Sequence, residues 1–154
     1  MKHEIRNQKR AISEAGAREL LGRGEYGILS TCGPDGQPYG VPLNYCLFAG
    51  TLYFHCAVAG HKLENLGDDS RVSFCVVGKT EVLPEQFATR YESVIVTGRA
   101  AEIFADEKQH ALELLVAKYS PGFQAQGRKY IAAQSAQARV FRIDIEALTG
   151  KARP

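Results

Sequence analysis

Apolar and polar residues alternate with a period of two in several stretches of the chain, and this spacing is typical of β-strands with one buried face. Glycine- and proline-rich turns such as Gly33-Pro34-Asp35-Gly36 and Ala49-Gly50 separate these stretches. The pattern predicts six strands, at 27–32, 41–48, 51–56, 71–77, 91–104 and 140–145. It also predicts short helices after Ser13, Gly60 and Asp106, and a weaker one at 128–136. Hairpin-linked strands without βαβ alternation favour a mainly β fold, a small antiparallel barrel.

The alternation also predicts which side chains face the core. In the strand at 51–56, Leu52, Phe54 and Cys56 share one face, and we expect it to be buried. Tyr53 and His55 then point outward. In the strand at 91–104, Val94 and Val96 oppose a face that is neither simply polar nor simply apolar, which suits a partner surface. That mixed face consists of Tyr91, Ser93, Ile95 and Thr97.

The segment after Cys56 passes through Gly60 directly into a helix that begins His61-Lys62. The first turn of a helix has unpaired backbone N–H groups and a partial positive charge, and Gly60 lets an anion approach the backbone. Lys62 adds a full cation and His61 a second donor. The pattern is consistent with a phosphate-binding site, and equally with an ordinary strand-to-helix connection that carries a solvated lysine.

Composition narrows the function classes. The 154 residues fit a single domain, 1–154, with an N-terminal arm at 1–12. A net charge of +2 with scattered basic residues, including Lys2, Arg6, Lys9 and Arg10 in the arm, indicates no nucleic-acid partner. No apolar run is long enough for a membrane span or a signal peptide, so we expect a cytoplasmic protein without a membrane partner. The four cysteines are too far apart for a metal site.

Several ordered motifs together resemble the flavin-nucleotide-binding split-barrel proteins, and most closely the nitroimidazole-resistance branch of the pyridoxamine 5′-phosphate oxidase-like superfamily. They are Tyr53-Phe54-His55-Cys56-Ala57, Gly60-His61-Lys62, the segment from Arg90 to Gly98, Phe141-Arg142-Ile143 and Thr149-Gly150-Lys151. The resemblance implies a six-stranded antiparallel split β-barrel. It also implies a homodimer with FMN bound at the subunit interface.

The resemblance assigns roles to individual residues by position. His61 and Lys62 would bind the FMN phosphate, with help from Ser30 or Thr31. His55 matches a histidine beside the substrate site. The isoalloxazine would lie along Val41, Pro42, Leu43 and Asn44, and Arg90, Tyr91 and Ser93 would reach it from the long strand of the same or the other subunit. The resemblance does not extend to the C-terminal segment with which true pyridoxamine phosphate oxidases grip their substrate, and the chain has no tryptophan.

These expectations lead to an FMN-dependent oxidoreductase that takes electrons from a nicotinamide donor and reduces a small flat acceptor such as a nitroimidazole or nitroaromatic. His55 is the predicted proton source, because the ordinary pKa of histidine is close to neutral pH. Two alternatives stay open. One is a non-catalytic flavin carrier or sensor, and the other is a haem- or deazaflavin-binding relative on the same barrel.

Overall fold

The computed structural model describes residues 3–154, so Lys2 of the predicted arm lies outside the described residues. The strands are β1 (Ala11–Ile12), β2 (Gly27–Cys32), β3 (Pro38–Leu43), β4 (Cys46–Phe48), β5 (Thr51–Cys56), β6 (Arg71–Leu83), β7 (Ala88–Ile103) and β8 (Arg139–Arg153). The helices are α1 (Glu14–Arg23), α2 (His61–Asp68), α3 (Ala105–Tyr119) and α4 (Gln124–Gln134).

The strands form one antiparallel sheet in the order β3-β2-β6-β7-β8-β5-β4, with β1 paired to β8. The long strands β7 and β8 pair along almost their whole lengths and form the centre of the sheet. This mainly β architecture with short helices is consistent with a split barrel. The residues described have eight strands where the sequence predicted six, because β1 arises from the predicted arm and one predicted strand is divided in two.

The divided strand is the one predicted at 41–48. It breaks at Asn44 and Tyr45, so β3 pairs with β2 while β4 pairs with β5. Helix α3 causes the break, because its side chains take over the peptide groups of Tyr45. The Tyr45 N–H donates to the Tyr119 hydroxyl at 3.0 Å, and the Lys118 ammonium donates to the Tyr45 carbonyl at 2.9 Å. These bonds replace the strand ladder that the sequence pattern predicted.

Two apolar clusters fill the structure. The first lies inside the barrel, and it confirms the inward face of Leu52, Phe54 and Cys56. The second lies between the outer face of the sheet and α3. Tyr53 points away from the barrel core as expected, but it does not reach the surface, because α3 covers its ring in this second cluster and leaves it only 8% exposed. Its hydroxyl donates to Glu107 at 3.3 Å.

Several boundaries differ from prediction. Helix α1 begins where expected, since Ser13 caps it by accepting the Gly16 N–H, whereas α3 starts at Ala105 without a side-chain cap. Helix α4 begins four residues earlier than predicted. Strands β6 and β7 continue past the barrel as a hairpin arm, residues 79–91, and β8 runs on to Arg153. All four cysteines are free thiols, and no helix within residues 3–154 is long and apolar enough to cross a membrane.

Candidate functional site

The start of helix α2 has the geometry that the sequence predicted for an anion site. Gly60 adopts φ 148°, a conformation that side-chain-bearing residues rarely adopt, and a Cβ there would find no atom within 4 Å. No side chain caps the helix, and only the N–H groups of Leu63 and Glu64 turn back to the Gly60 carbonyl. The first N–H groups of the helix are therefore free to bind a ligand.

Lys62 and His61 flank this open helix end. Within residues 3–154, Lys62 takes part in none of the ion pairs, so its charge is not neutralised by a carboxylate. The exposed His61 ring lies against Tyr39 of β3, with ring centroids 4.1 Å apart. This contact joins the start of α2 to the edge strand of the sheet.

Strand parity separates the two residues proposed to assist with the phosphate. Ser30 lies on the outer face of β2, opposite Ser73 of β6. Thr31 points inward, is 4% exposed, and accepts a 3.0 Å hydrogen bond from the Asn65 amide of α2. Thr31 therefore anchors the helix from beneath and is not placed to contact a ligand, whereas Ser30 remains accessible.

His55 lies at the end of β5, just before α2, and keeps an exposed edge. Burial within the concave surroundings, followed by the positive charge of Lys62, lowers the pKa of His55 from its ordinary value of 6.5. His55 near the end of β5 and Lys62 in the first turn of α2 are seven residues apart and lie on either side of one strand-to-helix connection. His55 also lines a cavity of about 520 Å³ together with Asn44, at the break between β3 and β4.

The four residues expected along the isoalloxazine alternate between the inner and the outer face of the sheet. Val41 and Leu43 point inward and pack against the barrel core, so their side chains are not available to a ring on the outer surface. Pro42 and Asn44 are exposed. Only those two side chains and the backbone of β3 can therefore contact a cofactor there.

One chain does not bring the predicted residues of β7 to this site. In the strand register, Ser30 of β2 lies opposite Ser73 of β6, and Ser73 lies opposite Thr97 of β7. At about 3.3 Å per residue, Ser93 and Arg90 lie roughly 13 and 23 Å from Thr97 along β7. Arg90 pairs with Glu81 at 3.0 Å on the hairpin arm. Tyr91 and Ser93 are half-buried on the outer face of the sheet. A ligand at α2 would meet these residues only from a second subunit.

Sequence reasoning missed the helical wall of the cavity. Leu112, Leu115 and Val116 recur at helical spacing on α3, and this apolar stripe lines the cavity. Tyr130 and Phe123 complete the wall and are largely exposed. The signal was present as Tyr130 on the mostly polar helix α4 and as Phe123 immediately before it. No cluster of three metal-binding side chains occurs in the part of the chain described.

The geometry agrees with comparisons to known proteins. The family model for pyridoxamine 5′-phosphate oxidase matches residues 13–152. The chain belongs to this family. The pyridoxamine 5′-phosphate oxidase match runs from the Ser13 cap to Ala152, one residue before the end of β8, and both β5 and α2 lie within it. The resemblance inferred from the motifs is confirmed.

Individual relatives are more varied in function. An uncharacterised protein of Rhizobium meliloti is 28% identical over 153 residues, 93% of this chain and 94% of the relative. The structure of an FAD-binding protein from Mesorhizobium loti is 29% identical to this chain, covers 94% of this chain and 98% of that chain, and has a TM-score of 0.70. A candidate 5-nitroimidazole antibiotic resistance protein of Bacteroides thetaiotaomicron has a TM-score of 0.75 at 21% identity, covering 98% and 95% of the two chains. An FAD- and haem-binding protein of Mycobacterium smegmatis has a TM-score of 0.81 at 20% identity, covering 94% of this chain and 73% of the other. The last two likenesses show the fold alone.

Proposed function

We propose that this protein is an FMN-dependent oxidoreductase that reduces a small flat acceptor with electrons from a nicotinamide donor. The observation that carries the proposal is the combination, on consecutive elements, of an uncapped helix start beside Lys62 and a histidine that opens into an apolar cavity. An anion site is the feature that the phosphate of a flavin mononucleotide requires, and an apolar cavity beside it suits an aromatic acceptor.

The start of α2 fits a phosphate. The free N–H groups of the first turn supply directed donors, Lys62 supplies charge, and the absence of a Cβ at Gly60 leaves the backbone accessible. Ser30 would add a hydroxyl. A single anion site of this kind favours a mononucleotide over a dinucleotide, which has a second phosphate and an adenosine to accommodate.

Next to the anion site, Pro42 and the backbone of β3 offer a surface for a flat ring, and the Asn44 amide can donate to or accept from its polar edge. The bound flavin would supply the redox chemistry by accepting two electrons and passing them on. His55 would hold or deliver a proton at its imidazole nitrogen, and the apolar walls of the cavity would limit the access of water to the acceptor.

A homodimer completes the proposed site. The outer face of β2, β6 and β7 carries small or apolar uncharged side chains over a wide area, and Ile95 is 48% exposed there. A second copy of the chain on this face would bury Ile95 and bring Tyr91 and Ser93 toward the partner's anion site. Such an interface should bury more than about 1,000 Å² in total.

A haem-binding function is a second candidate. A lowered pKa keeps the His55 imidazole neutral near pH 7, which is the form that binds iron, and the cavity beside it is apolar. The same residues would then hold a porphyrin instead of an acceptor. The structural neighbour from Mycobacterium smegmatis that binds both FAD and haem supports a test of both groups.

The deciding experiment is reconstitution of the full-length protein with FMN, FAD or haemin, followed by absorption spectroscopy and titration. We expect a flavin spectrum and tight FMN binding. Lys62→Ala should weaken FMN binding by roughly 1.5–3 kcal/mol, the range for a hydrogen bond to a charged group. Lys129→Ala removes an exposed lysine on α4 and serves as the control. A Soret band without flavin uptake, or equal FMN affinity in the two variants, would overturn the proposal.

Turnover separates an oxidoreductase from a flavin carrier. We expect the FMN-loaded protein to oxidise a nicotinamide donor faster in the presence of a nitroaromatic acceptor than in its absence. Sedimentation of the same preparation tests the homodimer. A monomer at micromolar concentration would contradict the shared site.

A further inference from the structure

Two adjoining cavities lie between the outer face of β5 and the helix pair α3–α4. One has a volume of about 520 Å³ and the other about 270 Å³. Their walls share His55 of β5, Leu112 of α3, and Tyr130 and Ile131 of α4. An apolar cavity of about 150 Å³ is large enough for benzene, so this space admits an aromatic ring with substituents.

The side chains that line the two cavities are apolar, aromatic or neutral polar groups. Among the described residues that line the two cavities, none is Asp, Glu, Lys or Arg. Leu115 and Val116 form an apolar floor, and Phe123 and Tyr130 present aromatic rings that are 63% and 70% exposed. Neutral hydrogen-bonding side chains line both cavities as well, and among them Asn44 and His55 belong to the strand side of the larger cavity. A charged ligand would lose hydration here without an acidic or basic side chain in the lining to pair with it.

The helical wall is held in place. A Cβ at Gly127 of α4 would come closer than 3.0 Å to a methyl group of Val116, so α4 approaches α3 as closely as a glycine permits. After the helix, the Lys108 ammonium donates to the carbonyls of Ser135 and Ala138 at 2.9 and 2.8 Å. These contacts fix α4 over the sheet, which keeps the cavity open in the absence of a ligand.

We propose that the α3–α4 cavity is the acceptor pocket and that it selects small, flat, uncharged aromatic compounds, with Tyr130 as a wall that contacts the ring. The inference rests on the proposed function for its link to a flavin, but binding in the cavity depends only on the chain's own residues. Asn44 and His55, on the strand side of the larger cavity, would offer hydrogen bonds to a substituent such as a nitro group.

The test uses the full-length protein before and after reconstitution with FMN, and nitrobenzene and 4-nitrobenzoate as probes. Binding is measured by calorimetry, and the imidazole signals of His55 are followed by NMR. We expect nitrobenzene to bind the protein without flavin and to shift the His55 signals. The 4-nitrobenzoate anion should bind at least tenfold more weakly.

Tyr130→Ala should weaken nitrobenzene binding about three- to tenfold, the effect of one aromatic contact. Phe87→Ala is the matched control, because Phe87 is 98% exposed at the tip of the hairpin arm and lines neither cavity. Failure of nitrobenzene to bind, equal affinity for the anion, or equal losses in the two variants would each refute the pocket. FMN titration of the same samples tests the proposed function separately. Nitrobenzene binding without FMN binding would leave the pocket standing and refute the flavin assignment.

Discussion

Removal of the Tyr119 hydroxyl should destabilise the protein through the break between β3 and β4. That hydroxyl accepts the Tyr45 N–H at 3.0 Å and lies 2.6 Å from the Glu25 carbonyl, to which it donates. In Tyr119→Phe the Tyr45 amide keeps no acceptor in a part-buried position. Leaving such a donor unsatisfied costs roughly 1–3 kcal/mol of unfolding free energy. Lys118 still satisfies the Tyr45 carbonyl, so the loss should not exceed this range.

Urea denaturation of the full-length protein measures the effect. With an m value of about 2 kcal/mol per M, a loss of about 2 kcal/mol shifts the midpoint by roughly 1 M and leaves the slope unchanged. Tyr130→Phe is the matched control, since it deletes the same atom from a ring that is 70% exposed. A midpoint for Tyr119→Phe within about 0.2 M of the control would refute the view that α3 enforces the break.

Two further predictions concern charge. Arg23 binds Glu92 at 2.9 and 2.7 Å and the Lys79 N–H adds a third bond, which together lower the pKa of Glu92 from 4.5 to about 2. The stabilisation is therefore present above pH 4.5 and is lost as the pH falls toward 2. Glu92→Gln should lower the free energy of unfolding by about 1–2 kcal/mol at pH 7, after allowance for solvent screening, and by almost nothing near pH 2. A pH-independent difference in urea midpoints between the variant and the parent protein would contradict this. Lys62→Met should raise the pKa of His55, because the charge of Lys62 lowers it, and an NMR titration that shows no change would place Lys62 away from the imidazole.

Alternation was a reliable guide where one face of a strand packs on the barrel core. Leu52 and Phe54 are buried as expected, because a shift by one residue would expose both. Parity could not reveal that Tyr53, on the other face, is buried as well. Its burial depends on α3, which begins about 50 residues later in the chain, and a strand pattern holds no information about a helix that packs on it.

Long-range contacts also explain the errors in strand boundaries. The stretch 41–48 is locally suited to one strand, and only bonds from Lys118 and Tyr119 divide it. The hairpin arm was missed for the opposite reason. Residues 79–91 pair with each other beyond the barrel, and without a core beneath them they show no clear alternation of apolar and polar residues.

The candidate site was predictable to the extent that it is local in sequence. His55, Gly60 and Lys62 lie within eight residues, so the strand-to-helix connection alone places them together. The cavity wall is different, because an apolar stripe at helical spacing predicts that a helix packs on something but not how completely. Leu112 and Val116 look identical in the sequence whether they meet a filled core or a cavity.

The lowered pKa of His55 bears on what this residue can do in the proposed reaction. At its ordinary pKa of 6.5, about a quarter of histidine side chains would carry a proton at pH 7, and burial and Lys62 reduce that fraction further. A neutral imidazole is a poor proton reservoir, but it offers one N–H donor and one acceptor nitrogen. A phosphate bound at the start of α2 would offset the charge of Lys62 and so remove one of the two causes of the lowered pKa. If an anion binds at the start of α2, that site and the cavity would be coupled through Lys62 and His55, and we expect the protonation of His55 to depend on whether the anion is bound.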